Sequence, residues 1–148
     1  MISGADVKRL REATGAGVME CKQALTEVGG DFDKAVAFVH EKGLAKAEKK
    51  QARNAGAGLL HSYIHNERVG VLLDIRAETD FVVRGDLFRN LAHEVAMQVA
   101  AMGPDTIEEL LKQPFIKDDS KTIEQLIKSV VARVGENIKI EKFARYEL

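Results

Sequence analysis

The chain has 148 residues, of which 45% are hydrophobic and 30% charged, with a formal net charge of −1. This is room for one ordinary domain, or for a small domain joined to a medium one, and the composition is that of a folded globular chain. The near-neutral balance argues against nucleic-acid binding through a basic surface. The lone cysteine, Cys21, excludes an intrachain disulfide and a multi-cysteine metal site. No apolar run approaches the roughly 20 residues needed to cross a bilayer. The start, Met1-Ile2-Ser3-Gly4-Ala5-Asp6, lacks the charged-then-apolar layout of a signal peptide. We therefore expect a cytoplasmic protein with no membrane and no nucleic-acid partner.

Residues 1–43 read as three short helices. Ser3 with Asp6 forms a variant capping box, Val7 and Leu10 begin an apolar face, and Thr14-Gly15-Ala16-Gly17 ends it. Val18, Cys21, Leu25 and Val28 make the stripe of a second helix that stops at Gly29-Gly30. Asp31 caps a third, in which Phe32, Ala35, Val36 and Val39 share a face until Gly43. Helices this short depend on packing one another, so they are expected to form a small bundle near the lower size limit for folding.

Residues 44–57 turn small and basic, with Lys46, Lys49, Lys50 and Arg53 among alanines and no apolar stripe. The pattern predicts a solvated, partly helical linker; a phosphate-binding basic strip is the less favoured reading. From 58 to 148 the period changes. Leu59 to His65 reads as a strand and His65-Asn66-Glu67-Arg68 as a hairpin connection. In the next strand Val69, Val71, Leu73 and Ile75 share one face, while Gly70, Asp74 and Arg76 take the other. Phe88, Leu91, Ala92, Val95, Val99 and Met102 mark a long helix closed by Gly103-Pro104, and a helical piece near Ile107 to Leu111 precedes Pro114. Ile123, Leu126, Ile127, Val130, Val131 and Val134 mark another helix, and Ile138 and Ile140 open a last strand running toward Tyr146. The second region is thus ββα(α)αβ, an α+β core with a three-stranded, mainly antiparallel sheet and helices on one face. Its open face is expected to carry Leu72 with either Leu59 and Tyr63 or Leu60 and Ile64, and a second copy of the chain is one candidate to cover it.

No catalytic set emerges, and no cofactor or metal site. Thr14-Gly15-Ala16-Gly17 lacks the spacing and preceding strand of a phosphate loop. His61 and His65 are expected to be exposed on one strand face about 13 Å apart, too far to share a metal. His93 reads as a boundary residue of its helix. Ser62, Ser120 and Ser129 have no nucleophile-elbow context, and Asp118-Asp119 sit in a polar loop before a helix. We expect no enzyme. Glu78-Thr79-Asp80-Phe81-Val82-Val83 is different, because it falls where a well-patterned strand turns into a helix. Thr79 suits an N-cap and Asp80 the first turn. Phe81 on that corner is either a local plug or a protruding wedge.

Three segments carry a family resemblance. They are Leu10-Arg11-Glu12-Ala13-Thr14-Gly15-Ala16-Gly17-Val18-Met19-Glu20-Cys21-Lys22-Gln23-Ala24-Leu25, then Glu78-Thr79-Asp80-Phe81-Val82, then Val134-Gly135-Glu136-Asn137-Ile138. In this order they resemble elongation factor Ts and frame almost the whole chain. The resemblance implies a ubiquitin-associated-like N-terminal bundle and binding of GDP-loaded elongation factor Tu, with faster GDP release. It implies that Thr79, Asp80, Phe81 and Val82 form the tip that meets the partner's G domain. By the same resemblance, Asp80 and Phe81 are expected to reach in, the ring wedging between helices and disturbing the magnesium site and phosphate loop. It turns Phe81 from plug to wedge. Met19 and Lys22 lie off the buried stripe of the second helix, match the family motif and are secondary contact candidates.

The sequence also departs from the family. Longer members have a second core half and a helical hairpin, and short relatives carry extra residues between the long helix and Gln113-Pro114-Phe115. Here Gly103 to Gln113 is brief, so the chain resembles a minimal form with one core repeat. Short members homodimerise, and the open sheet face suggests the same here. The alternative reading is a ubiquitin-associated-like scaffold that binds another protein without exchange activity.

Overall fold

The computed structural model describes residues 1–148. Helix α1 (Gly4–Thr14) begins with the expected box: the Asp6 amide donates to Ser3 Oγ at 3.2 Å and the Ser3 amide to Asp6 Oδ2 at 2.9 Å. Helix α2 (Val18–Glu27) follows, and α3 (Phe32–Lys50) starts on the Asp31 cap. Leu10, Cys21, Ala24, Leu25 and Ala35 close into a small apolar cluster among these helices. Val18, expected in the buried stripe, is instead 50% exposed, because the α2 stripe narrows to Cys21, Ala24 and Leu25.

The third helix runs further than its pattern predicts. Helix α3 passes through Gly43 and continues to Lys50, well into the segment expected to be a linker. Alanine and lysine favour helix, and an anchor that sequence did not reveal supplies the rest: Ala47 is buried in the main core.

Beyond α3 come β1 (Ala57–His65) and β2 (Val69–Ala77), antiparallel from Ala57 opposite Ala77 to His65 opposite Val69. Asn66 and Glu67 turn the hairpin with left-handed φ of 50° and 59°. A one-turn helix α4 (Asp80–Val83) and the long α5 (Asp86–Met102) follow, then α6 (Ile107–Lys112). Next are two short strands, β3 (Pro114–Phe115) and β4 (Asp118–Thr122), which pair with each other. Helix α7 (Ile123–Val134) and β5 (Ile138–Glu147) complete the chain, and β5 adds antiparallel to β2 to give the order β1-β2-β5.

The α+β architecture matches expectation: a three-stranded antiparallel sheet with helices packed on one face. Val71, Leu73, Ile75 and Ala77 of β2 point inward against Phe88, Leu91, Val95 and Val99 of α5, with Ile123, Ile127 and Val131 of α7 in the same core. Two details differ. Asp118 and Asp119, expected in a loop, belong to the β3–β4 hairpin, which Gln98 holds from α5. Its amide donates to Pro114 O at 3.0 Å and accepts from the Ile116 amide at 2.9 Å. Met102, expected in the α5 stripe, is 51% exposed at the helix end. There Arg145 of β5 donates to the α5 carbonyl of Ala100 at 3.0 Å, meeting an otherwise unpaired group.

Helix α3 reaches the core by crossing α7. At Gly43 an added Cβ would lie 3.2 Å from Ala132 Cβ, so glycine sets how closely the two helices approach. Lys128 of α7 reaches Glu48 of α3 at 3.3 Å, and Lys46 pairs with Glu20 of α2. Of the cations in the segment that looked basic in sequence, Lys46 is thus paired, as is Arg53, which reaches Glu78 at 3.7 Å.

Candidate partner-binding tip

Strand β2 delivers the chain to the edge of the core at Ala77, which is fully buried. Thr79 then adopts an extended cap conformation, φ −131° and ψ 153°, and its hydroxyl accepts from the Val82 amide at 3.4 Å. A single helical turn separates the four following side chains by direction. Val82 and Val83 fall inward at 8% and 5% exposure, while Phe81 points out at 88%. Of the two sequence readings of this ring, it is not a plug; the valines beside it do that work. Asp80 is exposed, and its carboxylate makes no hydrogen bond or ion pair within the chain. Beside the ring a shallow depression between α4 and the end of α7 is lined by Val82, Leu87, Arg133 and Val134.

Glu136 meets the tip at its cap. It follows the left-handed cap Gly135 of α7 and accepts from the Thr79 amide at 3.0 Å and the Thr79 hydroxyl at 2.7 Å. Next to it the buried Asn137 donates from its backbone to Glu78 at 2.8 Å and from its side chain to Arg53 O at 2.8 Å and Gln51 O at 3.3 Å. In sequence these residues belong to the third family-like segment, with no part of their own to mark them. The only signal available was polarity at a helix end, which capping alone would explain.

Met19 and Lys22 lie on the exposed side of α2, Met19 at 72% exposure, among the N-terminal helices and not at the tip. The two regions share one neighbour. The Arg133 guanidinium lies against the α1–α2 turn, where a Cβ on Gly15 would come within 2.4 Å of its Nε, and Arg133 also lines the depression beside Phe81.

No group of three or more His, Cys, Asp or Glu side chains converges anywhere. His61 is not the exposed residue expected. It is half-buried, edge-on to His93 at 5.6 Å between ring centroids, and burial followed by the nearby His93 and Arg89 lowers its pKa below the usual 6.5. No helix is long and apolar enough to cross a membrane.

The outer sheet face carries Leu60, Ile64, Leu72 and Tyr146 at 66%, 64%, 48% and 79% exposure. Leu60 and Ile64, rather than Leu59 and Tyr63, are therefore the residues of β1 that face out. Toward the other end the face turns polar. Asp74 accepts from Arg76 at 2.5 and 3.0 Å, and this holds its carboxyl below the usual range.

Fold and tip together define an α+β protein with an N-terminal helical module and a core that holds an aromatic corner out to solvent. The chain belongs to the elongation factor Ts family, whose members take their name from translation elongation. The family model described as elongation factor TS matches residues 7–109 and 78–148. Elongation factor Ts of Coprothermobacter proteolyticus is 42% identical over 193 aligned positions, covering 99% of this chain and 98% of that protein. The Moorella thermoacetica factor is 40% identical, covering 100% and 96%. A chloroplastic polyprotein of EF-Ts from rice is 41% identical over 99% of this chain and 17% of its own length. Because 193 aligned positions face 148 residues, at least 45 positions of the Coprothermobacter protein have no counterpart here.

Proposed function

We propose that this chain is a guanine nucleotide exchange factor. It binds GDP-loaded elongation factor Tu and promotes GDP release by pressing Asp80 and Phe81 toward the partner's magnesium and phosphate site. The carrying observation is the ring of Phe81, 88% exposed on a corner whose neighbouring valines are buried. An apolar side chain held out by a capped turn has its surface available for a partner. On this reading the chain is not an enzyme; it changes no covalent bond and works by linkage. A factor that weakens nucleotide binding must itself bind the nucleotide-free partner more tightly by the same ratio.

Burial of one phenylalanine supplies roughly 1.5–3 kcal/mol, or about one to two decades of differential affinity. A larger effect requires a second contact, which the exposed side of α2, with Met19 and Lys22, provides. The open face with Leu60, Ile64, Leu72 and Tyr146 supports a homodimer, its apolar end covered by the same face of a second copy. A factor that serves elongation factor Tu works in the cytoplasm.

The test is release of labelled GDP from elongation factor Tu with and without the chain. Acceleration well above the intrinsic rate supports exchange, and none overturns it. Sedimentation at micromolar concentration tests the dimer, and a monomer there would count against it.

A further inference from the structure

The exposed Phe81 ring sits on a helix of only one turn, and so short a helix does not hold its shape alone. Something outside it must. The Thr79 hydroxyl has one hydrogen and two lone pairs. Its hydrogen goes to Glu136 Oε2 at 2.7 Å, and a lone pair accepts the Val82 amide at 3.4 Å. The second carboxylate oxygen takes the Thr79 amide at 3.0 Å. Glu136 therefore fixes both the backbone at the start of the turn and the rotor of its cap, through charge-assisted bonds from a residue 57 positions away.

Glu136 is itself held from both sides. Gly135 ends α7 before it, and Asn137 after it is 4% exposed and bonded to the carbonyls of Gln51 and Arg53, just past α3. The Asn137 backbone amide also donates to the carboxylate of Glu78, the residue preceding the cap, at 2.8 Å. One corner thus references the tip to the end of α7 and to the segment leaving the N-terminal helices. None of these bonds buries apolar area, so their contribution lies in fixing geometry.

We propose that Glu136 is the positioning residue of the tip. It holds the Thr79 cap so that Phe81 is presented in a single direction. The functional half of this inference rests on the exchange-factor reading. A wedge that samples several directions acts only for the fraction of time it points correctly.

The experiment uses the full chain with Glu136→Ala and Glu136→Gln, each in the wild-type and Phe81→Ala backgrounds. In the partner-free protein, amide hydrogen exchange at Thr79 and Val82 should quicken about five- to tenfold in Glu136→Ala, the scale of a lost cap contact. The Leu73 amide in β2 should stay protected. Glu136→Gln, which keeps an acceptor for the Thr79 amide, should restore most of the protection. In GDP release from elongation factor Tu, Glu136→Ala should lower the maximal rate by about the same factor while changing the half-saturating concentration less than about twofold. In the Phe81→Ala background it should cost almost nothing more.

Unchanged protection at Val82 in Glu136→Ala overturns the proposal. So does a full additional loss of exchange in the Phe81→Ala background, which would mean Glu136 acts elsewhere. A wild-type chain that leaves GDP release at its intrinsic rate overturns the exchange reading and the functional half of this inference. The amide protection would still decide whether Glu136 holds the tip.

Discussion

Replacing Phe81 with alanine separates the two parts a corner aromatic can play. With the ring 88% exposed, folding buries only about an eighth of it. At about 3 kcal/mol for complete burial of a phenylalanine, truncation costs the fold roughly 0.4 kcal/mol. Alanine recovers a similar amount, about 0.5 kcal/mol, as the better helix former in α4. The net change in stability should lie within about 0.5 kcal/mol, a shift of about 2 °C in melting temperature for a chain of this size. On elongation factor Tu the same ring is expected to be fully covered, so its loss removes roughly 1.5–3 kcal/mol and slows assisted GDP release by about one to two decades. Thermal unfolding and labelled-GDP release, run on the same preparation, read both quantities. A fall of several kcal/mol in stability would restore the buried-plug interpretation. Unaltered exchange on an intact fold would refute the wedge.

Other substitutions probe the support of the tip and the packing of the helices. Val82→Ala, at an 8% exposed position in the core, should destabilise by about 1–3 kcal/mol in urea unfolding, the opposite balance to its neighbour Phe81. Gly43→Ala should be nearly neutral, because about 1 kcal/mol of helix preference offsets the approach to Ala132, whereas Gly43→Leu should cost about 1–3 kcal/mol by forcing α3 from α7. His61 has a lowered pKa in the folded protein, so the unfolded state binds its proton first. Its contribution to stability is therefore lost as pH falls through about 6.5 toward the folded value, and His61→Gln should flatten the denaturation midpoint over that range.

The periodic elements were legible because their signal lies in one-dimensional spacing. The alternation in β2 and the three-and-four spacing in α5 and α7 translate directly into a buried face. The failures share a different cause, since each depended on a neighbour distant in sequence. Gly43 reads as a stop until Ala132 explains it as a crossing, and the alanine-lysine run has no stripe until Ala47 is seen to enter the core. Gln98 sits seven residues after Leu91, on the buried stripe, so its polarity there was the one clue to the β3–β4 hairpin it holds. At the tip, local pattern favoured Phe81 as a plug and only the family resemblance made it a wedge, because one turn of helix is too short for a period to develop. Glu136 was invisible as a partner of Thr79 for the same reason as Ala132 beside Gly43.

Helix α3 joins the two parts of the chain. It is 19 residues long, about 28 Å from end to end, and its two halves belong to different apolar clusters. A lever of that length, held just past its end by Asn137 and packed at the crossing against Ala132, ties the N-terminal helices to the core. Relaxation measurements should therefore return one rotational correlation time for the N-terminal helices and the sheet. A partner gripping α2 would then meet Phe81 at a set span, as a caliper meets its second jaw.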